Sequence, residues 1–286
     1  MTIFQIPVEA DQPILKPALD QAKLISVWGS SGSGKSTLAV NLAFELASLG
    51  HRVLLVDGDS YSPSLSAALG VLKPSGGILA ALRLARQERL DAPELMRLSD
   101  QLSFGSQSLQ FLAGVSSPLR WSEFDSVQQL VKVAKASFDF VLFDLASSLE
   151  PGIYGPESAT PRNQSTLAVL EVSDVVLGLF GADPVGVNRF LWDIRAASFD
   201  FWPVATRVRQ QVLGRSPERQ LKDALYSLAK RELNYLLPDD QAAIDAALLK
   251  GQPLITVARN SKLREAIRRL AIDVSSERTK LQNREH

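Results

Sequence analysis

The sequence predicts an α/β fold: a mostly parallel, twisted sheet of about seven or eight strands with helices on both faces. Three observations carry that expectation. Strand-like and helix-like segments alternate almost to the end of the chain, as they do when helices cross over between parallel strands. Several strand candidates, such as Val53-Leu54-Leu55-Val56 and Phe140-Val141-Leu142-Phe143, are unbroken apolar runs, the pattern of strands buried on both faces. The 286 residues, 45% hydrophobic and 22% charged, are enough for one large core.

Residues 1–22 contain Pro7, Pro13 and Pro17 among scattered acids and read as an extended lead-in. The domain is expected over 23–274, with a polar, flexible tail at 275–286. Strands are expected at 24–28, 53–57, 110–113, 139–144, 175–180, 203–207 and 233–237. Helices are expected at 35–49, 63–70, 77–89, 91–99, 122–137, 163–172, 185–198, 217–231, 239–249 and 261–272. Gly50 supplies a stop for the first helix, and Asp91 followed by Pro93 and Glu94 a start for the fourth. Phe104-Gly105 reads as a strand and turn.

The most informative stretch is Gly29-Ser30-Ser31-Gly32-Ser33-Gly34-Lys35-Ser36-Thr37, which matches the phosphate-loop pattern G-x-x-x-x-G-K-[ST]. Its glycines let the backbone curl so that successive N–H groups point at anionic oxygens. Lys35 offers a charge to the β- and γ-phosphates, the Ser36 hydroxyl can ligate Mg²⁺, and the following helix aims its positive end at the same place. The strand before it and the amphipathic helix after it separate this loop from a chance Gly/Ser linker. A phosphate loop also needs carboxylates to hold Mg²⁺ and align a water. Asp59 follows the strand 53–57 and Asp144 ends the strand 139–144, where ligands of open parallel sheets sit. Asp57 and Asp139 are secondary candidates, and Asp59 and Asp144 could instead serve as turn or strand-end caps.

Composition removes other chemistries. No cysteine means no thiol nucleophile, disulfide or Cys-based metal site, and His51 and His286 are too few for a histidine-rich zinc site. His51, after a helix stop, reads as a surface residue. No apolar run approaches the roughly 20 residues that span a bilayer, and no signal peptide is visible, so the cytoplasm is the expected location. The formal net charge of zero does not point to nucleic acid.

The loop, its helix, and then His51-Arg52-Val53-Leu54-Leu55-Val56-Asp57-Gly58-Asp59 resemble the MinD/ParA group of P-loop ATPases. Asp144-Leu145-Ala146 is similar to that group's strand end, Leu237-Pro238-Asp239-Asp240 with Ala247 to Pro253 to its late proline segment, and Arg259 to Leu270 to its closing helix. The resemblance covers about residues 23 to 272. It implies that Lys35 and Thr37 hold phosphates of ATP or ADP and that Ser36 binds Mg²⁺. By the same resemblance, Asp59 orients the attacking water, Asp144 supports the metal, and Thr206, Arg207 and Pro238 flank the adenine. It also implies a homodimer. The pilus-assembly and polar-localisation branch called CpaE or TadZ is the most similar, through Ala182-Asp183-Pro184-Val185-Gly186 and Arg162-Asn163-Gln164. Pilus, secretion or polar-localisation proteins are therefore the expected partners.

Two departures matter. The group's second lysine belongs at position 30, where this chain has Ser30. The resemblance gives that lysine a role across the dimer like an arginine finger, so slow hydrolysis is expected here. Arg162 is a candidate substitute, set against its plainer reading as a solvated helix-start arginine. Thr206 replaces an asparagine whose amide could read adenine. Three rivals stand beside this reading: a nucleotide-gated scaffold with little turnover, an ABC-type transport ATPase, and a small-molecule kinase. The second lacks a signature helix start near Asp144, and the third an arginine-rich acceptor pocket. The basic residues Lys262, Arg264, Arg268 and Arg269 alternate with apolar ones and are read as a packed helix, not a membrane anchor. Arg207, Arg209, Arg215 and Arg219 have acids close by, and DNA binding is not the expectation.

Overall fold

The computed structural model describes residues 22–115, 124–149 and 163–276. The apolar runs form the centre of an eight-stranded sheet. Its strands are β1 (Lys23–Gly29), β2 (Val53–Gly58), β3 (Asp100–Phe104), β4 (Gln107–Leu112), β5 (Phe140–Leu145), β6 (Val175–Gly181), β7 (Trp202–Val208) and β8 (Tyr235–Pro238), in the order β3-β4-β2-β5-β1-β6-β7-β8. Every neighbouring pair is parallel except the β3–β4 hairpin. All residues of β2, β5 and β6 are buried, as unbroken apolar runs require when both faces are covered.

The helices are α1 (Lys35–Ser48), α2 (Leu65–Ala68), α3 (Ile78–Arg86), α4 (Ala92–Leu98), α5 (Phe124–Ser137), α6 (Gln164–Glu171), α7 (Pro184–Asp193), α8 (Gln210–Leu213), α9 (Pro217–Ala229), α10 (Gln241–Lys250), α11 (Leu254–Val257) and α12 (Lys262–Ser275). Side chains alternate along the strands, so each strand feeds two cores. Leu54, Val56, Val141 and Phe143 face one core, shared with α3 to α7 and α9. Leu55, Leu142, Ile25 and Val27 face the other, shared with α1 and α10 to α12. In α12, Leu263, Ile267, Leu270, Ala271 and Val274 are buried, and Arg264 pairs with the buried Glu45 of α1 at 2.7 Å. The basic stretch is thus a packed helix, as the sequence predicts.

Several boundaries differ from expectation. The edge strand β3 was legible only as its end, because Asp100-Gln101-Leu102-Ser103-Phe104 buries just Leu102 well; Gly105, at φ 64°, turns it into β4. The helix expected over 63–70 is only Leu65–Ala68. The helix expected over 185–198 ends at Asp193 and tightens into a 3₁₀ turn, Ile194–Ala196. Strand 233–237 begins at Tyr235, and helix 239–249 begins after Asp240, whose side chain caps it. The short helices α8 and α11 were not expected.

Candidate functional site

The loop between β1 and α1 is placed by three glycines with different reasons. A Cβ on Gly29 would lie 2.1 Å from the Leu179 carbonyl oxygen of β6, so only glycine lets the two strands pair there. Gly32 (φ 74°) and Gly34 (φ 90°) are left-handed, and a Cβ on either would meet nothing within 4 Å. There the backbone angle, not crowding by the described residues, calls for glycine. The Ser30 N–H donates to Leu179 O at 3.1 Å, and the Ser33 N–H to Ser30 O at 3.1 Å. Gly34 begins α1 without a side-chain cap, which leaves first-turn amides for an anion.

Charge gathers below this loop. Lys35 is buried and its ammonium donates to Ser147 Oγ at 2.6 Å. Burial pushes its pKa down, while Asp144, Asp59 and Asp193 pull it up. The Ser36 hydroxyl donates to Asp144 Oδ2 at 2.5 Å and receives a bond from Ser64 Oγ at 2.9 Å. The other Asp144 oxygen is buried with no hydrogen-bond partner among the described residues. Asp57 and Asp144 face each other in register at the tips of β2 and β5. Burial pushes each carboxyl up to about 7, and their mutual repulsion adds to this for Asp144. Asp57 accepts from the backbone N–H of Leu65 (3.0 Å) and Asp59 (3.4 Å). Asp59 reaches the same end of the sheet, but its Oδ1 accepts from the Tyr61 and Ser62 N–H groups, both at 2.9 Å, and so shapes the turn.

Beside the loop lies a cavity of about 240 Å³. Ser33, Gly34 and Thr37 form its edge nearest the loop, Thr206 and Arg207 one wall, and Leu237 and Pro238 another. Thr206 Oγ1 bonds to the carbonyls of Ser33 (2.7 Å) and Phe180 (3.1 Å), tying β7 to the loop. Arg207, in the cavity lining, takes a left-handed φ of 55°, a conformation non-glycine residues seldom adopt.

The structure therefore brings Gly29 to Thr37, Asp59, Asp144, Thr206, Arg207 and Pro238 to one end of the sheet. Arg162 lies outside the described residues. Three participants were missed by sequence reasoning. Ser147 sits just past the Asp144 strand end and Ser64 just past Pro63, so both lay within stretches already singled out. Asp193 carried no local signal: it accepts from Ser30 Oγ at 2.6 Å from the far end of α7. The basic residues of β7 to α9 are partly engaged, Arg209 with Asp239 (3.5 Å) and Arg219 with Asp223 (3.7 Å). Among the described residues no helix is long and apolar enough to cross a membrane.

Residues 24–254 match the family model described as CbiA, the CobQ/CobB/MinD/ParA nucleotide binding domain. The chain belongs to this family. It is similar to the septum site-determining protein MinD of Synechocystis sp., 24% identical over 240 residues that cover 79% of each chain. Among solved structures it resembles a ParA family ATPase from Chlorobium tepidum (TM-score 0.70, 20% identity, 87% of this chain and 98% of that one). It also resembles the cell division ATPase MinD of Pyrococcus furiosus (TM-score 0.65, 20% identity, 88% of this chain and 98% of that one). The likeness to these structures shows a shared fold, which in this chain is an eight-stranded, mostly parallel sheet flanked by helices.

Proposed function

We propose that this chain binds Mg-ATP along a groove from the Lys35–Ser36–Asp144 cluster to the Thr206–Pro238 cavity. In this reading it hydrolyses ATP slowly and works as a nucleotide-dependent dimerising switch in subcellular positioning or in pilus or secretion assembly. The observation that carries the reading is the continuity of that groove: a buried ammonium and an all-oxygen pair at one end, a purine-sized cavity at the other, and Gly34 and Thr37 between them. The donor set fits Mg²⁺, which favours oxygen ligands: the Ser36 hydroxyl touches Asp144, whose second oxygen is buried and unpartnered. When bound, the metal would neutralise charge on the phosphate oxygens. Lys35 would leave Ser147 for the phosphates, Thr37 would hold them from α1, and Asp59 would orient water with the carboxylate oxygen not committed to its turn.

Relatives support the direction. A MinD from Pyrococcus horikoshii was solved with Mg-ADP, a putative plasmid partition protein from Borrelia burgdorferi with AMPPNP, and an Aquifex aeolicus MinD in complex with MinC. By its resemblance to the CpaE/TadZ branch, this chain would act in the cytoplasm as a homodimer, recruited to a pole or membrane-associated complex through pilus, secretion or polar-localisation proteins. Short stretches also match iron-sulfur cluster carrier proteins, 49% identical over 57 residues. Clusters are held by cysteine thiolates, and these 286 residues contain no cysteine.

A second reading, a nucleotide-gated scaffold with little turnover, is favoured by one observation: Ser30 supplies no cation, and its hydroxyl is spent on Asp193. Single-turnover hydrolysis of labelled ATP separates the two. The switch reading expects slow product formation that Asp59→Ala abolishes. Equal rates in both proteins remove Asp59 from catalysis, and absence of Mg-ATP binding, with no effect of Lys35→Ala, removes the nucleotide site altogether.

A further inference from the structure

Asp193 is the last residue of α7, in a sequence stretch with no nucleotide-binding motif, yet it is joined to the phosphate loop. Ser30 is clamped there: it is 3% exposed, its N–H is held by Leu179 O, and its carbonyl accepts from Ser33. Its hydroxyl has one acceptor, Asp193 Oδ2, at 2.6 Å. The loop therefore fixes the position of this carboxylate. Among the described residues, the cations whose field acts on it are Lys35 and, one turn back on α7, Arg189. Among the described residues, Asp193 is also one of three carboxylates whose field acts on Lys35, beside Asp144 and Asp59. Its placement at the C-terminal end of a helix adds the negative end of that helix's dipole to its own charge.

We propose that Asp193, pinned by Ser30, is a specificity-determining residue: a fixed negative charge at the loop that offsets Lys35 and weakens triphosphates more than diphosphates. The inference rests on the nucleotide-binding reading above. Its physics is Coulombic. An incoming polyphosphate must share Lys35 with Asp193, and the additional charge of a third phosphate meets the greater repulsion in a partly buried setting that salt screens poorly. The carboxylate is half-buried, and burial raises its pKa above the ordinary carboxylate value, against the opposing pull of Ser30, Lys35 and Arg189.

The test is calorimetric titration of the full chain with AMPPNP and with ADP, each in saturating Mg²⁺. Asp193→Asn, which keeps the shape and removes the charge, should tighten AMPPNP about fivefold and ADP less than about twofold. Asp193→Ala should move the ratio the same way, and Asp193→Glu should leave it near the wild-type value. The inference is overturned if the AMPPNP-to-ADP ratio is unchanged in both neutral variants, or if both nucleotides weaken together, the outcome of a merely structural contact. Should Asp193→Asn fail to fold, the Asp193→Ala and Asp193→Glu pair decides alone. Wild-type protein that binds neither nucleotide would defeat the functional reading itself; wild-type binding with an unmoved ratio would defeat only the role of Asp193.

Discussion

The two ends of the proposed nucleotide groove, its phosphate end and its base end, are built in opposite ways. The phosphate end is made mostly of neighbours in sequence, Gly29 to Thr37, backed by carboxylates on two strand tips, and its charged groups Lys35, Asp57 and Asp144 are buried. The base end is assembled from β7, the end of β8, the starts of α1 and α10, and the first half of α12. Its lining includes Leu38, Leu237, Ile244, Leu263 and Ile267. The difference teaches where each kind of recognition resides. Charge recognition depends on a few groups whose desolvation is already spent in the fold, so each should be individually indispensable. Apolar shape recognition is spread over many side chains, and no single one should dominate.

Substitutions can break that contrast. The largest effect should come from Lys35→Ala, with affinity for Mg-ATP falling about 100-fold or more in calorimetry; a loss below tenfold would put the two ends on equal terms. Asp144→Asn comes next. Removing its charge should reduce the Mg²⁺-dependent gain in ATP affinity roughly tenfold, with little change in Mg²⁺-free binding.

The third prediction concerns stability without nucleotide. Asp57 and Asp144 are held near 7, against 3.8 in an unconstrained chain. Between those values the folded protein keeps protons that the unfolded chain has lost. The contribution is therefore full below about pH 4 and is lost as pH rises toward 7. Urea midpoints should fall across this window, and Asp57→Asn should flatten the fall; a midpoint that rises with pH would contradict the burial of these carboxyls.

Base-end changes should be milder. Thr206→Val removes the bonds to Ser33 O and Phe180 O and should cost about 1–2 kcal/mol of stability. It should weaken ATP and ADP alike by a few-fold and leave Mg²⁺ dependence untouched. The smallest effect on stability is expected for Arg207→Gly. Relief of the left-handed strain and the entropy of glycine should cancel to within about 0.5 kcal/mol, while nucleotide affinity drops about two- to fivefold. If Arg207→Gly instead matched Lys35→Ala in its effect on binding, the base end would prove to be the charged anchor.

Much of this was legible from residues alone. The buried strands β2, β5 and β6 announced themselves as apolar runs, because burial on both faces removes the need for polar positions. The edge strand β3 did not, because only one of its faces is covered and its alternation is short. The same logic separates Lys35, Ser36 and Asp144, whose types and positions follow from a motif or a strand tip, from Ser64 and Ser147. Those two are ordinary serines until the chain folds them against Ser36 and Lys35.

By itself the sequence determined the loop and its chemistry, because glycine angles, a lysine and a hydroxyl in adjacent positions need no distant partner to define them. Only the tertiary structure decided what surrounds that loop. Ser30 meets Asp193 across 163 residues of chain, and Thr206 meets Ser33 across 173. Such contacts leave no trace in local periodicity. The raised carboxyls of Asp57 and Asp144 likewise come from burial, which belongs to the packed sheet and not to the order of its residues.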